Sequence, residues 1–122
     1  MKQRIALVVA VVAIGVGVLA AGALARGQQA TANTITVTMI DFKFRIKKPA
    51  VIKHGVKYTV IEINKGHAAH NIDFNGVKRG PIIAPGKRKS FTVVFKKAKK
   101  YPYVCDVPRH AELGMGGTLT VK

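Results

Sequence analysis

The sequence predicts an all-β fold, a Greek-key β-sandwich of about seven to eight strands that follows an N-terminal hydrophobic segment. Three observations support this prediction. From Thr31 onward, apolar and polar residues alternate over short runs, as in half-buried strands. Gly and Pro residues separate these runs, and none of the runs has the length and period of a helix. The 122 residues leave room for one domain, in which about 90 residues after the N-terminal segment are enough for a sandwich core.

The N-terminus is typical of an export signal or a membrane anchor. Lys2 and Arg4 precede an uncharged run of Ala, Val, Leu, Ile and Gly at 5–25. The run is long enough to span a membrane, but Ala-Leu-Ala at 23–25 matches a signal-peptide cleavage site. Both alternatives place the domain outside the cytoplasm, in the periplasm or on the extracellular face of the membrane. The predicted division of the chain is a signal peptide or anchor at 1–25, a linker at 26–33 and the folded domain at 34–122.

Eight runs have the alternation or the β-branched and aromatic residues of strands. In chain order they are 34–40, 41–46, 51–52, 56–64, 70–74, 89–95, 101–105 and 116–121. Pro49 follows the second run closely and cannot donate to a ladder, so we expect that run at an edge or a bend. In the fourth run, the period of two places Tyr58, Val60 and Glu62 on one face. Turns are expected at 54–55, 75–76 and 96–100, and irregular backbone at 77–86.

The charge balance is strongly basic. The chain has 21 Lys and Arg against 5 Asp and Glu, and removal of Lys2 and Arg4 with the N-terminal segment leaves +14. Such a surface repels copies of itself, which favours a monomer, and attracts anionic membrane or an acidic partner protein. Solubility or an acidic medium would explain the charge equally well. The basic residues lie throughout the chain without a recognition helix or stacking motif, so we expect no nucleic-acid partner.

The end of the chain contains a cluster of soft metal ligands. Cys105, His110 and Met115 follow one another at i, i+5 and i+10, between two predicted strands. Cys105 is the only cysteine, so it has no partner for an internal disulfide. Alone, it would be interpreted as a small buried apolar residue. A thiolate and two imidazoles with a weak axial Met are the ligands of blue-copper centres, so a second imidazole is needed.

Three histidines compete for that position. His54 lies in a polar predicted turn and is expected at the surface. His67 and His70 share one loop, but His70 directly precedes a predicted strand, whereas His67 follows Gly66 within the loop. Preorganised sites favour ligands held by regular structure, which favours His70 over His67.

With His70 included, the sequence resembles a known family. The pattern Asn64-x5-His70-Asn71-x-x-Phe74, followed by Tyr103-x-Cys105-x4-His110-x4-Met115-x-Gly117, is similar to the cupredoxins, the small type 1 blue-copper proteins. The likeness is to the plastocyanin and amicyanin-like branch and covers residues 34–121.

The resemblance implies a cupredoxin β-sandwich that holds one type 1 copper ion beneath the loops at one end. His70, Cys105 and His110 would be the equatorial ligands and Met115 the axial ligand. Asn71 would tie the two ligand segments together.

One residue departs from the family pattern. The family often has Gly directly before the loop histidine, but this chain has Arg109. The extra charge leaves the ligand set intact and puts the usual apolar docking patch in doubt. The predicted strand directions place Lys87, Arg88 and Lys89 at the same end as Arg109, so we expect this cluster to dock an acidic redox partner.

The expected function is that of an extracytoplasmic one-electron carrier that uses a Cu(II)/Cu(I) couple. Electrons would pass through His110, with the strand from Tyr103 to Cys105 as a second route. A copper-binding module for delivery or storage would use the same residues and remains the alternative. An enzyme is not expected, because a binuclear copper site needs two Cys in the loop and multicopper oxidases need further His clusters.

Overall fold

Eight strands form two four-stranded sheets in the part of the chain that the computed structural model describes, residues 32–122. The strands are β1 (Thr34–Ile40), β2 (Lys43–Lys47), β3 (Lys57–Asn64), β4 (Asp73–Phe74), β5 (Lys78–Arg79), β6 (Arg88–Val94), β7 (Lys100–Val104) and β8 (Gly116–Thr120). The predicted signal or anchor at 1–25 and nearly all of the predicted linker lie outside the described residues. Residues 32–122 contain no helix that is long and apolar enough to cross a membrane. The predicted all-β sandwich is confirmed.

The first sheet has the order β2-β1-β3-β6, and its inner face follows from the alternation in β1 and β3. Ile35, Val37 and Met39 of β1 are fully buried, and the threonines between them are half-buried on the other face. β2 is an edge strand, as expected, and Lys43, Arg45 and Lys47 are exposed along it. Charged residues along an edge discourage pairing with another chain.

The second sheet has the order β5-β4-β7-β8 and carries the C-terminal ligand segment between β7 and β8. The core between the sheets contains a group of packed aromatic rings. Phe74 meets Phe95 edge-on at a centroid distance of 5.3 Å, and Phe95 lies 4.9 Å from Tyr101. Burying each Phe side chain contributes roughly 1.5–3 kcal/mol to the stability of the folded domain.

The region around β4 differs from the sequence-based expectation. The predicted strand 70–74 is reduced to Asp73–Phe74, and the segment expected to be irregular contains β5. His70 pairs instead with Ile83 through a two-way backbone bridge. The predicted strand 51–52 is likewise a single bridge, from Ile52 to Val121.

The pairing of β1 with β3 determines what surrounds the site. The two strands are parallel neighbours, with Met39 opposite Asn64. Their carboxyl ends therefore meet at one edge of the sheet, where the amide of Lys65 donates to the carbonyl of Met39 at 2.8 Å. The turn after β1 and the loop after β3, which leads to His70, become neighbours.

Candidate metal centre

Three of the four expected ligands converge at one end of the sandwich. Nδ1 of His70 lies 3.1 Å from Nδ1 of His110. Sγ of Cys105 lies 3.5 Å from Nδ1 of His110 and 3.9 Å from Nδ1 of His70. The ligand atoms of these three residues lie within 4.8 Å of one another, and the side chains of His70 and Cys105 are fully buried.

These separations fit one transition-metal ion. Bonds from imidazole nitrogen or thiolate sulfur to such an ion are roughly 2.0–2.3 Å long, so two atoms that share an ion lie about 3–4 Å apart. The three distances between the ligand atoms fall in that range. An imidazole pair with a thiolate is also the donor set that suits copper in a trigonal site.

Met115 is held next to this cluster by the backbone of its own loop. Its carbonyl accepts the amide of Cys105 at 3.0 Å, and its amide donates to the carbonyl of His110 at 3.1 Å. Gly114, just before it, has a φ of 94°, a conformation that L residues rarely adopt. The Met115 side chain is fully buried in the same core cluster as Cys105. His70, Cys105, His110 and Met115 are thus arranged as a type 1 copper site.

Asn71 links the two ligand segments, as the resemblance implies. Its Oδ1 accepts the amide of Asp106 at 3.0 Å, and its Nδ2 donates to the carbonyl of Gly80 at 3.1 Å. A second link, absent from the sequence-based expectations, is the ion pair between Arg79 and Asp106. Both contacts hold Asp106, the residue that follows Cys105.

The other two histidines stay outside the cluster. The side chain of His67 is 98% exposed, and its Nδ1 lies 3.0 Å from Oδ2 of Asp41. His54 is exposed, with its Nδ1 3.0 Å from the carbonyl of Lys122 at the opposite end of the domain. The choice of His70 over His67 therefore agrees with the geometry.

His110 is the ligand nearest to solvent, with 9% of its surface exposed. Phe42 meets its ring edge-on at 5.2 Å and is itself 39% exposed, and Leu113 in the same loop is 58% exposed. Burial and the neighbouring His70 lower the pKa of His110 below its usual range, which favours the neutral, metal-binding imidazole. One apolar side chain, Phe42, thus lies beside His110 even though Arg109 replaces the glycine.

Arg109 adopts the backbone conformation that explains the family's glycine. Its φ is 71°, in the left-handed region. A residue with a Cβ is strained there by about 1–2 kcal/mol, whereas glycine is not. Arg109 therefore adds both a positive charge and local backbone strain to the loop.

Asp41 contacts a ligand of the site, and the sequence did not reveal this contact. Its carboxylate accepts a hydrogen bond from Nε2 of His70 at 2.8 Å. Hydrogen bonds from the His70 side chain and the His67 backbone hold the pKa of Asp41 far below its usual range. Nothing in the sequence pairs residues 41 and 70, because their contact depends on the parallel pairing of β1 with β3.

Comparisons with known proteins agree with this fold. The cupredoxin-like domain family matches residues 7–121. An auracyanin from the photosynthetic bacterium Roseiflexus castenholzii, reduced with dithionite, is similar with a TM-score of 0.64 and 20% identity, over 75% of this chain and 98% of that one. Auracyanin A, a blue copper protein from Chloroflexus aurantiacus, has a TM-score of 0.61 and 20% identity, over 73% and 98%. No curated protein is similar enough in sequence to count as a match.

An enzyme also shares the fold. Copper nitrite reductase from Nitrosomonas europaea is similar with a TM-score of 0.60 and 18% identity, over 73% of this chain but only 41% of that one. At such identities these structures show the fold, whereas the family match covers nearly the whole sequence. The chain belongs to the cupredoxin-like family.

Proposed function

We propose that this protein holds one type 1 copper ion and works as a one-electron carrier. The observation that carries the proposal is the buried convergence of His70, Cys105 and His110, with their ligand atoms within 4.8 Å of one another. These three residues would be the equatorial ligands, and Met115 the axial one. Auracyanin A and the nitrite reductase, which share the fold, are copper proteins by name, and this supports the choice of metal.

When bound, copper supplies a Cu(II)/Cu(I) couple for electron transfer. The chain supplies a rigid cage around it. Backbone hydrogen bonds join Cys105, His110 and Met115, and Asn71 joins their loop to the segment of His70. A donor set that moves little suits both oxidation states, which keeps electron transfer fast.

Electrons would enter and leave at the exposed edge of His110. His110 keeps 9% of its surface exposed and contacts the ring of Phe42, whereas His70 and Cys105 have no exposed surface. Tyr103 offers a second route, because it is half-buried at the end of β7 and packs against Phe44 and Phe74.

The basic surface supports docking to an acidic redox partner. The chain has five acidic residues, and one of them, Glu112, is exposed. The remaining four are buried or half-buried, namely Asp41, Glu62, Asp73 and Asp106. The positive charge is therefore almost unopposed at the surface.

Lys87, Arg88 and Lys89 would form the docking cluster with Arg109. The carbonyl of Lys87 accepts the amide of Asn64, whose side chain donates to the carbonyls of Ala68 and Ile83 beside His70. The cluster thus starts at the metal end of β6. Attraction between this cluster and acidic residues of the partner would speed the encounter of the two proteins, and salt would weaken it by screening.

Charge reversal tests the docking surface. Replacing Lys87, Arg88 and Arg109 by Glu should slow electron transfer to an acidic partner and weaken its salt dependence. The matched control reverses Lys96, Lys97 and Lys99, which lie at the opposite end, where the carbonyl of Lys99 accepts the amide of Val121. Equal effects from both triple variants, or no effect from either, would count against the cluster.

The proposed site of action is outside the cytoplasm, with the protein either secreted or held at the membrane by residues 5–25. The domain would act as a monomer and would bind no nucleic acid. Cell fractionation, with mass spectrometry of the mature N-terminus, tests the location. Recovery of the full chain in the cytoplasmic fraction would contradict it.

The alternative function is copper delivery or storage by the same residues. That role needs an exchangeable ion, whereas the donors of His70 and Cys105 are fully buried. The carrier proposal predicts slow loss of copper to a chelator together with fast, reversible oxidation and reduction in stopped-flow measurements. Rapid copper exchange with sluggish redox cycling would favour delivery. No substrate chemistry is proposed for either role.

A further inference from the structure

Asp41 occupies a position that joins a ligand to the loop that carries it. The residue lies in the turn between β1 and β2, and its Oδ1 accepts a hydrogen bond from Nε2 of His70 at 2.8 Å. Both carboxylate oxygens accept the amide of His67 at 2.9 Å, and Oδ1 also accepts the amide of Ala68 at 3.2 Å. One side chain therefore binds the imidazole and the backbone that leads to it.

The loop is shaped to receive this carboxylate. A Cβ on Gly66 would collide with Oδ1 of Asp41 and would lie 2.9 Å from Nε2 of His70. The hydrogen bond between Asp41 and His70 therefore requires a residue without a side chain at position 66. The close approach is built into the fold by the parallel pairing of β1 with β3.

The contact decides which nitrogen of His70 faces the metal. A carboxylate can only accept, so Nε2 carries the proton and Nδ1 presents its lone pair to Cys105 and His110. The amides of His67 and Ala68 also donate to the Asp41 carboxylate, so the side chain is an acceptor in each of these contacts. A carboxylate on the remote nitrogen of a metal-bound imidazole raises the basicity of that ligand.

We propose that Asp41 is a positioning residue that fixes the tautomer of His70 and lowers the reduction potential of the centre. The proposal rests on the proposed function in so far as it concerns the potential. A negative charge bonded to a ligand favours the ion of higher charge, and a more basic imidazole does the same. Both effects stabilise Cu(II) relative to Cu(I).

The first experiment measures the reduction potential of the copper-loaded full chain. Asp41→Asn keeps the size of the side chain and an acceptor oxygen but removes the charge. We expect its potential to shift to a more positive value while the intense visible band remains. The matched control is Glu112→Gln, which removes an equal charge from the exposed surface of the ligand loop. A shift for Asp41→Asn no larger than for Glu112→Gln would overturn the tuning role.

The second experiment needs no copper and separates this proposal from the proposed function. In the copper-free full chain, nitrogen NMR of the imidazoles at a pH where they are neutral should show the His70 proton on Nε2. Asp41→Ala should yield a mixture of tautomers and faster amide exchange at His67 and Ala68. A His70 proton on Nδ1 in the unsubstituted protein would refute the positioning role, even if the copper spectrum is that of a type 1 site. A colourless copper adduct with the expected tautomer would instead refute only the copper function.

Discussion

Glu62 should make the protein less stable as the pH rises from 4.5 to about 7. The residue is on the inner face of β3 and is fully buried. Its Oε1 accepts the amide of Ile72 at 2.8 Å, and Oε2 has no hydrogen-bond partner among residues 32–122. Burial raises the pKa of Glu62 from 4.5 to about 7, and the opposing effects of the Ile72 amide and of Lys89 are smaller.

The sign and size of the effect of Glu62 on the free energy of unfolding follow from proton linkage. Below pH 4.5 the folded and unfolded chains both hold the proton, so the group contributes no pH dependence. Between pH 4.5 and about 7 the unfolded chain releases the proton while the folded chain keeps it, which favours unfolding. At ~1.4 kcal/mol per pH unit, this window corresponds to a loss of about 3 kcal/mol. Above it both states are ionised, and the loss stays constant.

Glu62→Gln isolates the effect. Glutamine keeps the oxygen that accepts the Ile72 amide but does not titrate, so other groups cancel in the difference between the two proteins. Urea unfolding of the copper-free chains, followed by circular dichroism from pH 4 to pH 8.5, should show the free energy of unfolding of the wild type falling relative to the variant. A difference that stays flat across this range would refute the reasoning.

Two further predictions concern Asn71 and Arg109. Asn71→Ala should lower the free energy of unfolding by about 1–3 kcal/mol and speed copper loss to a chelator, because the Asp106 amide loses its acceptor; unchanged values of both would show that the link is unimportant. Arg109→Gly should leave stability unchanged or raised, whereas Arg109→Val should cost at least about 1 kcal/mol, because φ is 71°. Equal thermal unfolding midpoints for the two Arg109 variants would show that the backbone at position 109 is not strained.

Periodicity predicted the parts of the fold whose side chains alternate regularly. The boundaries of β1 are those expected, and Glu62 lies on the predicted face of β3 although it is charged. The preference for His70 over His67 rested on the adjacent strand. It agrees with the structure because the bridge to Ile83 fixes the His70 backbone, while His67 is almost fully exposed.

What the sequence did not predict depends on contacts between distant segments. Alternation cannot distinguish parallel from antiparallel neighbours, so the pairing of β1 with β3, and with it the contact from Asp41 to His70, was not predictable. β4 is shorter than expected because the side chains of His70 and Asn71 are directed to the ligand cluster and its support. The positive φ of Arg109 was also not predictable, since the sequence shows only that the usual glycine is absent.

The most direct test of the central claim is the visible and EPR spectrum of the purified full chain after addition of Cu(II). The proposed site predicts an intense thiolate-to-copper band and the small copper hyperfine splitting of a type 1 centre. Both should be lost in Cys105→Ser, while the circular dichroism of the fold is retained. A colourless wild-type adduct, or a spectrum unchanged by the loss of the Cys105 thiol, would contradict the proposed copper centre.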